Sequence, residues 1–590
     1  MLGNIILIKE NNVVVEINKE ILAKDNIIGY NVIFENENNN LVGEINSIEG
    51  IKMYITLVGQ IQNNKFIPGF IKKPSFKSNV RLVTLEEVEL LYGKQNLSDK
   101  STLYLGESKV YQGYKICVDV NSFFSNHFAI FGNTGSGKSY TVSRIIQNIF
   151  YNRQSAPTRA NIFIFDAYGE YQNAFDIFNE TNPKLNFKSY TTNYNDNTRE
   201  LLRIPLWLMS IDDIALLLGA TEHIQISIIE KAMKLVTIFC KEDDQSKVLK
   251  NDIIARALMD ILLSSNPATQ IRDQIIAVLS KFYTEDLNLS SKIIQPGYIR
   301  TIKQCLFVDN NGKMNEVELV SEFIQSYIKE GLEANLPDGS FRYTLTDLET
   351  ALDFALISEG VLKSDKVFDY TNTIKVRLHS IINSSTAMYF DYDGYITREK
   401  YIKRILTASN GYKAQIINFN INYIDDRLAK VITKIYSKLL FDFAAQLKQR
   451  ASFPFHIILE EAHRYVQNDN DVYLLGYNIF ERIAKEGRKY GVLLGLISQR
   501  PSELSETTLS QCANFLILRM YHPKDLNYIK DMIPNITSEI TAKSKLLQPG
   551  NCIAFGQAFK VPAIIQMDKP NPTPYSDNCN ITEVWFEDEA

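Results

Sequence analysis

A glycine-rich loop at residues 132–139 carries the residue types best suited to chemistry in this chain. Its sequence fits G-x-x-x-x-G-K-[ST], a pattern in which the backbone N–H groups of a tight turn face a polyphosphate at a helix N-terminus. The candidate nucleotide-binding residues are Gly132, Asn133, Thr134, Gly135, Ser136, Gly137, Lys138 and Ser139, followed by Tyr140. The loop therefore predicts binding of a nucleoside triphosphate.

Two side chains of the loop are expected to act on the ligand directly. The Lys138 ammonium would reach the β- and γ-phosphates, and the Ser139 hydroxyl would ligate a magnesium ion. ATP and Mg2+ are therefore the expected cofactors of this site.

A strand and a helix must hold such a loop in place. The apolar run at residues 128–131 is typical of a buried strand. Residues 140–150 follow with helical spacing of their apolar side chains, at Val142, Ile145, Ile146 and Ile149. This context disfavours the alternative that a Gly/Ser-rich loop matches the pattern by accident.

A second predicted strand, residues 455–459, ends in the acids Glu460 and Glu461. In isolation such a pair suits a solvated acidic turn. Together with the loop, we assign Glu460 to the metal shell and Glu461 to the water that attacks the γ-phosphate. Glu460 and His463 also have E-x-x-H spacing, but a metal site of that kind needs further ligands from a partner helix.

Three polar residues complete the candidate site. Gln499 ends a third predicted strand, residues 491–497, where it could sense the γ-phosphate. Arg488 and Arg500 are equal candidates for neutralising charge in the transition state. Either arginine could instead pair with a surface acid.

Composition excludes several classes of protein. With 590 residues, 45% hydrophobic and 22% charged, the chain has the length of two to four globular domains. The net charge of −5 argues against a simple basic DNA-binding module, but not against a ring whose basic groups line only a channel. The cysteines are scattered, the first segment has no basic leader, and there is no long apolar run. These three features predict a cytoplasmic protein.

The pattern of apolar and polar residues changes several times along the chain. Residues 1–95 contain short β-type runs separated by polar turns and predict a small β-barrel. Residues 96–204 and 401–568 alternate strands and helices, which predicts two parts of one parallel α/β core. Residues 205–400 form a mostly helical insertion, in which Ser210 and Asp213 mark a helix start. Residues 569–590 are expected to be a strap or tail.

At this point the motifs resemble those of HerA-like ATPases in type and order. The matching segments are Gly132–Ser139, Asp166–Tyr171, Leu459–His463, Lys485–Gly491, Ser498–Leu504, Gln511–Asn514 and Leu547–Gly550. The resemblance implies a RecA-like P-loop NTPase core of the α/β class, with an N-terminal small β-barrel. It does not extend to the insertion at 205–400.

The resemblance also implies an assembly and a reaction. HerA-like proteins form homohexameric rings that hydrolyse ATP and move double-stranded DNA through a central channel. Arg488 would be the finger that reaches the neighbouring subunit's nucleotide, and Gln499 the sensor. Asp166 and Glu170 would lie beside the nucleotide, although Ala167 and Tyr168 depart from the family pattern.

Partners are implied by the same resemblance. HerA-like proteins work with a nuclease of the NurA type in DNA end processing, or with sirtuin-like or nuclease effectors in anti-phage defence, which dock on the N-terminal barrel. Two alternatives stay open: a coupling ATPase of a secretion channel, and a ring that binds ATP mainly to assemble and regulate an effector enzyme.

Overall fold

A computed structural model describes residues 2–18, 27–36, 39–151, 156–181, 184–241, 243–329, 331, 341–358, 365–469, 471–532, 538–576 and 580–586. The chain divides into two compact units. The first comprises Met1–Glu200, Ile402–Asp469 and Tyr477–Ala590, and the second comprises Leu201–Tyr401 and Asn470–Gly476. Among the described residues, no helix combines the length and the apolar character needed to cross a membrane.

The strands within these residues are numbered in chain order. They are β1 (Gly3–Lys9), β2 (Asn12–Ile17), β3 (Asn31–Glu35), β4 (Asn40–Glu49), β5 (Lys52–Gln62), β6 (Lys65–Pro68), β7 (Asn79–Leu82), β8 (Thr102–Ser108), β9 (Lys115–Asp119), β10 (His127–Phe131), β11 (Ile162–Asp166), β12 (Phe187–Thr191), β13 (Glu200–Leu201), β14 (Lys292–Gln295), β15 (Tyr298–Thr301), β16 (Ile416–Asn420), β17 (Phe455–Leu459), β18 (Val492–Ser498), β19 (Cys512–Ile517), β20 (Asn551–Gly556) and β21 (Ala563–Met567).

The α-helices are numbered in the same way. They are α1 (Leu85–Tyr92), α2 (Val120–Phe124), α3 (Lys138–Phe150), α4 (Gln172–Phe175), α5 (Phe178–Thr181), α6 (Ile211–Leu218), α7 (His223–Phe239), α8 (Asp244–Leu262), α9 (Ala268–Lys281), α10 (Ile302–Cys305), α11 (Val317–Gln325), α12 (Leu345–Ser358), α13 (Asp365–Ile382), α14 (Arg398–Ile405), α15 (Asp426–Ala445), α16 (Asp471–Leu475), α17 (Ile479–Tyr490), α18 (Glu506–Ser510), α19 (Pro523–Met532), α20 (Ser538–Lys545) and α21 (Ile581–Trp585). Short 3-10 turns occupy Leu206–Leu208, Ser385–Tyr389, Ala462–Arg464 and Pro501–Glu503.

The first unit is organised around a large mixed sheet. Its parallel part has the strand order β12, β16, β11, β17, β18, β10, β19. Every residue of β10, β11 and β18 is buried, as expected for strands covered on both faces. Because parallel strands end at one edge of a sheet, the segments after β10, β11, β17 and β18 meet there.

Beyond β19 the sheet continues in antiparallel fashion through β20, β21, β8 and β9. Strands β20 and β21 form an antiparallel hairpin. Strand β9 lies within residues 96–204, where a parallel core is predicted, and for this strand the predicted parallel pairing is wrong. It pairs antiparallel with β8, a strand that the sequence patterns did not indicate.

The N-terminal strands form a second, antiparallel sheet with the order β1, β2, β5, β4, β3, β7. Its inward side chains make a separate apolar cluster that includes Val13, Phe34 and Ile55. The predicted barrel is confirmed only in part. Among the described residues β1 and β7 share no strand ladder, and the Leu2 N–H donates to the Val80 carbonyl at 2.6 Å across the gap.

Helix α1 also lies within the segment expected to be all β. Thr84 caps it, and the Glu87 side chain accepts a hydrogen bond from the Thr84 N–H in return. This T-x-x-E capping box is a sequence signal that could have predicted the helix. Arg81, at the end of β7, pairs with Glu87 at 2.8 Å and so joins the sheet to α1.

The second unit is mostly helical. As predicted, Ser210 and Asp213 form a capping box at the start of α6. Outside the helices, the hairpin of β14 and β15 is present, paired from Lys292 opposite Thr301 to Gln295 opposite Tyr298. The rings of His223 on α7 and Tyr473 on α16 lie 5.2 Å apart, which ties the segment Asn470–Gly476 into this unit.

Two buried histidines should make the stability of the first unit depend on pH. Burial lowers the pKa of His127 to about 4, and it also lowers the pKa of His456. In the unfolded chain a histidine takes up its proton near pH 6.5, so between pH 6.5 and about 4 the unfolded chain binds more protons than the folded one. The free energy of unfolding should therefore fall as the pH drops through this window, by on the order of 3 kcal/mol for His127 alone.

Thermal unfolding midpoints at about pH 7.5 and about pH 5 would measure this loss. His127→Gln is the matched comparison, because glutamine does not titrate. Its midpoint should change less between the two pH values than that of the unaltered chain. An equal change in both proteins would assign the pH dependence to other groups.

Candidate active site

The phosphate loop has the backbone conformation that its glycines permit. Gly135 and Gly137 have φ of 71° and 100°, in the left-handed region that favours glycine. At Gly132 a Cβ atom would lie only 2.4 Å from the Ser136 Oγ and 2.9 Å from the Leu518 Cβ, so the loop folds back tightly on itself. Lys138 and Ser139 then open α3, with half-buried Tyr140 behind them.

Neighbouring segments hold the loop by backbone hydrogen bonds. The Gly132 N–H donates to the Ser498 carbonyl at 3.3 Å, and the Asn133 N–H donates to the Arg519 carbonyl at 3.0 Å. On the other side, the Gly550 N–H donates to the Ser136 carbonyl at 3.1 Å. This last contact gives the Leu547–Gly550 motif a physical role, which is to brace the loop.

Glu460 lies beside the hydroxyl expected to ligate magnesium. The Ser139 Oγ donates to the Glu460 Oε1 at 3.4 Å, and the Ala167 N–H donates to the Glu460 Oε2 at 3.2 Å. The residue is only 3% exposed. Burial and the nearby carboxylates of Asp166, Glu170 and Glu461 raise the pKa of Glu460 well above its usual value.

Glu461 is held in a strained backbone conformation, with φ at 49° in the left-handed region and an exposure of 4%. The Gln499 Nε2 donates to the Glu461 Oε1 at 3.2 Å, and the Thr134 Oγ1 donates to the Gln499 Oε1 at 2.6 Å. Gln499 therefore bridges the phosphate loop and the second carboxylate of β17. The structure brings these three predicted residues together, whereas the sequence indicated a sensor at the end of a strand but not its contacts with Thr134 and Glu461.

His463 lies behind Glu461 and not in a metal centre. Its Nδ1 is 3.3 Å from the Glu461 Oε2 and 3.1 Å from the Ser498 Oγ. Among the residues that the structure describes, no group of histidine, cysteine and acidic side chains is placed to hold a metal ion by itself. The E-x-x-H spacing thus places a hydrogen-bonding neighbour beside the carboxylate.

Lys138 is a partly buried cation among carboxylates. Burial lowers the pKa of its ammonium, and the charges of Glu461, Glu460 and Glu170 oppose that effect. Its Nζ donates to the Asn133 carbonyl at 3.4 Å. Burial also raises the pKa of Glu170, which the nearby Ser139 hydroxyl opposes. Glu170 is a site residue that the resemblance suggested, and the structure places it beside Lys138 and Ser139.

Asp166 shapes the turn that carries Glu170. Its Oδ1 accepts hydrogen bonds from the Gly169 and Glu170 N–H groups at 2.7 and 3.0 Å, and its Oδ2 accepts from the Tyr171 N–H at 3.1 Å. The Asn418 amide donates to the same Oδ2 at 3.1 Å. With both oxygens engaged, Asp166 orders the backbone of this turn.

The side chains fit a hydrated magnesium ion. Ser139, Glu460 and Glu170 supply hydroxyl and carboxylate oxygens, which Mg2+ prefers, close to Lys138. Within the described part of the chain, the buried Ser136 Oγ and Glu170 Oε2 have no hydrogen-bond partner. The arrangement therefore offers both free oxygens and excess negative charge to a cation.

The two candidate arginines lie apart from this cluster. The Arg500 guanidinium pairs with Glu503 at 3.0 Å, and its side chain is 62% exposed. Arg488 is exposed on α17, and among the described residues it forms no hydrogen bond or ion pair with the phosphate loop. The structure thus leaves Arg488 exposed on the helix surface, and it pairs Arg500 with a surface acid.

The glycine-rich loop lies between a parallel strand and a helix, and it faces two carboxylates at the end of a nearby strand. This arrangement defines a P-loop nucleoside triphosphatase. A family model described as "Helicase HerA, central domain" matches residues 103–440, more than half of the chain. The chain therefore belongs to the HerA helicase family, and it is an ATPase.

Similar proteins extend the comparison over most of the chain. The DNA double-strand break repair helicase HerA of Pyrococcus furiosus is 22% identical over 529 residues, which cover 88% of this chain and 78% of that protein. The protein of the same name from Sulfolobus acidocaldarius is 24% identical over 588 residues, covering 94% and 92%. A solved structure of the bacterial conjugative coupling protein TrwB is a more distant likeness, with a TM-score of 0.44 and 9% identity, covering 84% of this chain and 94% of that chain.

Replacing Gln499 should slow hydrolysis without preventing nucleotide binding. Gln499→Ala removes the bridge between Thr134 and Glu461, while Lys138 and the glycines stay in place. We expect kcat for ATP to fall about 100-fold, as for the loss of one polar group that acts in the transition state, with little change in the Kd of a fluorescent ATP analogue.

Gln557→Ala is the matched control, because Gln557 is an exposed glutamine in the turn between β20 and β21. That variant should retain the kcat of the unaltered chain. Equal rates for the two variants would show that the Gln499 bridge has no part in hydrolysis.

Proposed function

We propose that this chain is an ATP-driven, double-stranded DNA translocase and helicase with a RecA-like motor core, acting in DNA double-strand break repair. The observation that carries the proposal is the hydrogen-bonded set of Thr134, Gln499 and Glu461 beside the phosphate loop of a HerA-family chain. The similarity to the DNA double-strand break repair helicases HerA of Pyrococcus furiosus and Sulfolobus acidocaldarius supports the repair role.

The site residues would divide the work of hydrolysis among them. Loop N–H groups and Lys138 would hold the phosphates, and the Glu461 carboxylate would take a proton from the attacking water. Gln499 contacts both the loop and Glu461, so it would couple the presence of a γ-phosphate to the position of that carboxylate. Ser139 and Glu460 would hold Mg2+, which supplies positive charge for the phosphate oxygens when bound.

The assembly proposed is a homohexameric ring. The site has Lys138 as its cation, and Arg488 projects from α17 into solvent with no partner in the loop of its own chain. An arginine finger donated in trans would complete the charge stabilisation of the transition state. Such an arrangement makes hydrolysis depend on ring formation and lets the subunits act in turn on DNA in the channel.

The partner proposed is a nuclease or a defence effector that docks on the N-terminal sheet. That sheet has its own apolar cluster, so it can present a surface without rearranging the ATPase core. It is braced to the core, because the Lys543 Nζ on α20 pairs with Glu44 on β4 at 2.6 Å. Binding of a partner to this sheet would therefore be able to change the position of α20 through this ion pair.

Linear double-stranded DNA should stimulate ATP hydrolysis by the purified chain. We expect steady-state turnover to rise at least about tenfold on addition of DNA, because a translocase couples hydrolysis to its track. Glu461→Gln should keep nucleotide binding and lose turnover, and Lys138→Ala should lose both.

Two results would contradict this proposal in different ways. Turnover that is indifferent to DNA, in a chain that still forms rings, would favour an ATP-regulated scaffold for an effector enzyme. Full turnover by Glu461→Gln would move the catalytic carboxylate to Glu460.

Arg488→Ala should separate binding from hydrolysis. Since Arg488 lies outside the phosphate site of its own chain, the variant should bind ATP and assemble normally, while DNA-stimulated turnover falls about 1,000-fold. Lys489→Ala, the next exposed cation on α17, is the control and should keep its turnover. If Arg488→Ala hydrolyses ATP at the control's rate, the finger lies elsewhere in the chain.

A further inference from the structure

His127 is a buried imidazole at the start of β10 that the hydrolysis scheme does not use. It is only 1% exposed. Its Nδ1 accepts a hydrogen bond from the Leu494 N–H at 2.9 Å, and its Nε2 donates to the Ala484 carbonyl at 3.1 Å. One side chain thus joins three elements: β10, β18 and α17.

Each of these elements leads to a residue of the candidate site. Strand β10 runs directly into the phosphate loop, and β18 ends just before Gln499. Helix α17 carries Arg488, one turn after Ala484. In an α-helix the carbonyl of residue 484 also accepts the N–H of residue 488, so His127 binds the same oxygen that anchors the backbone of Arg488.

The chemical state of His127 is fixed by its two partners. Since Nδ1 accepts a backbone N–H, the ring proton must reside on Nε2. Burial, and to a smaller extent the nearby charge of Arg488, lower the pKa of His127 to about 4. The ring therefore keeps one acceptor and one donor, in fixed positions, at every pH near neutrality.

The face of α17 that carries Ala484 also carries Gly487, three residues further on, and it leaves the helix little freedom. A Cβ atom at Gly487 would lie 2.3 Å from the Val492 carbonyl oxygen and 3.0 Å from the Ile483 Cγ2, so the helix packs as closely against the start of β18 as a glycine allows. At its N-terminus, Asn478 caps α17 by accepting from the Phe480 and Glu481 N–H groups. His127 adds a directional contact in the middle of the helix.

We propose that His127 is a positioning residue for ATP hydrolysis, which sets the position of the Arg488 helix relative to the strand that carries the phosphate loop. The proposal rests on the trans role of Arg488 given above. Loss of the two imidazole hydrogen bonds would displace the finger while the chain's own loop continues to bind nucleotide.

His127→Leu removes both hydrogen bonds and keeps a buried apolar side chain of similar size. His127→Gln keeps a planar group with a donor nitrogen and an acceptor oxygen. We expect DNA-stimulated kcat to fall about tenfold or more in the leucine variant, with the Kd for an ATP analogue within about twofold, and to recover largely in the glutamine variant.

Subunit mixing distinguishes positioning of the finger from damage to the core. Lys138→Ala subunits have an intact Arg488, and Arg488→Ala subunits have an intact loop, so a mixture of the two should regain turnover. His127→Leu should regain turnover when mixed with Lys138→Ala, because its own loop is sound. It should regain none with Arg488→Ala, because both subunits then lack a placed finger.

Other patterns would overturn the assignment. If His127→Leu recovers with Arg488→Ala but not with Lys138→Ala, the residue supports its own phosphate loop. Recovery in neither mixture, while the Lys138→Ala and Arg488→Ala mixture recovers, would mean general loss of structure. If that reference mixture itself fails, the trans role of Arg488 is wrong, and the role of His127 falls with it.

A second variant covers the case in which His127→Leu does not assemble. Gly487→Ala would push the same face of α17 away from β18, through the contact with the Val492 carbonyl. It should give the same pattern in the same mixtures. Normal turnover by a folded Gly487→Ala ring would show that hydrolysis does not depend on the position of α17.

Discussion

The first unit depends on one constraint. A lysine is buried among carboxylates at the edge of the sheet where the parallel strands end. Lys138 loses solvation there, and Glu460, Glu461 and Glu170 are the charges that compensate it. Buried charges are costly unless they are paired and hydrogen-bonded. The residual negative charge around Ser139 suits a cation, and the lysine suits a phosphate. The same balance that limits stability thus prepares the site for a magnesium nucleotide.

This balance of buried charges explains why so many hydrogen bonds fix the position of the site residues. Glu461 lies in a left-handed conformation that costs on the order of 1–3 kcal/mol, which the surrounding contacts must offset. Its carboxylate is fixed by Gln499 and lies against His463. On the neighbouring strand, Asp166 gives both of its oxygens to the turn that presents Glu170. Hydrogen bonds from fixed protein groups thus replace the hydrogen bonds to water that these side chains have lost.

The sequence predicted the parts of this arrangement that are local. The strand, loop and helix over residues 128–150 are confirmed, because the chemistry of a phosphate loop is confined to consecutive residues. The contact of Gln499 with Thr134 was beyond prediction, since it depends on β18 lying beside β10. A histidine at the start of an apolar strand gives no signal either, and the three-way contact of His127 follows only from the sheet order. Helix α1 was missed despite the capping signal at Glu87.

The first unit keeps its candidate site although a long, mostly helical insertion interrupts it in the middle of the chain. The first unit is left after Glu200 and re-entered at Ile402, yet β12 and β16 are adjacent parallel strands. Glu200 pairs with Lys188 at 3.0 Å and with Arg404 at 3.2 Å, so the exit and the return are held together within this unit. Once the ends of a loop are fixed, each doubling of its length costs only about 0.6 kcal/mol. A large helical unit can therefore occupy this connection, while the strands that present Asp166 and Glu460 keep their register.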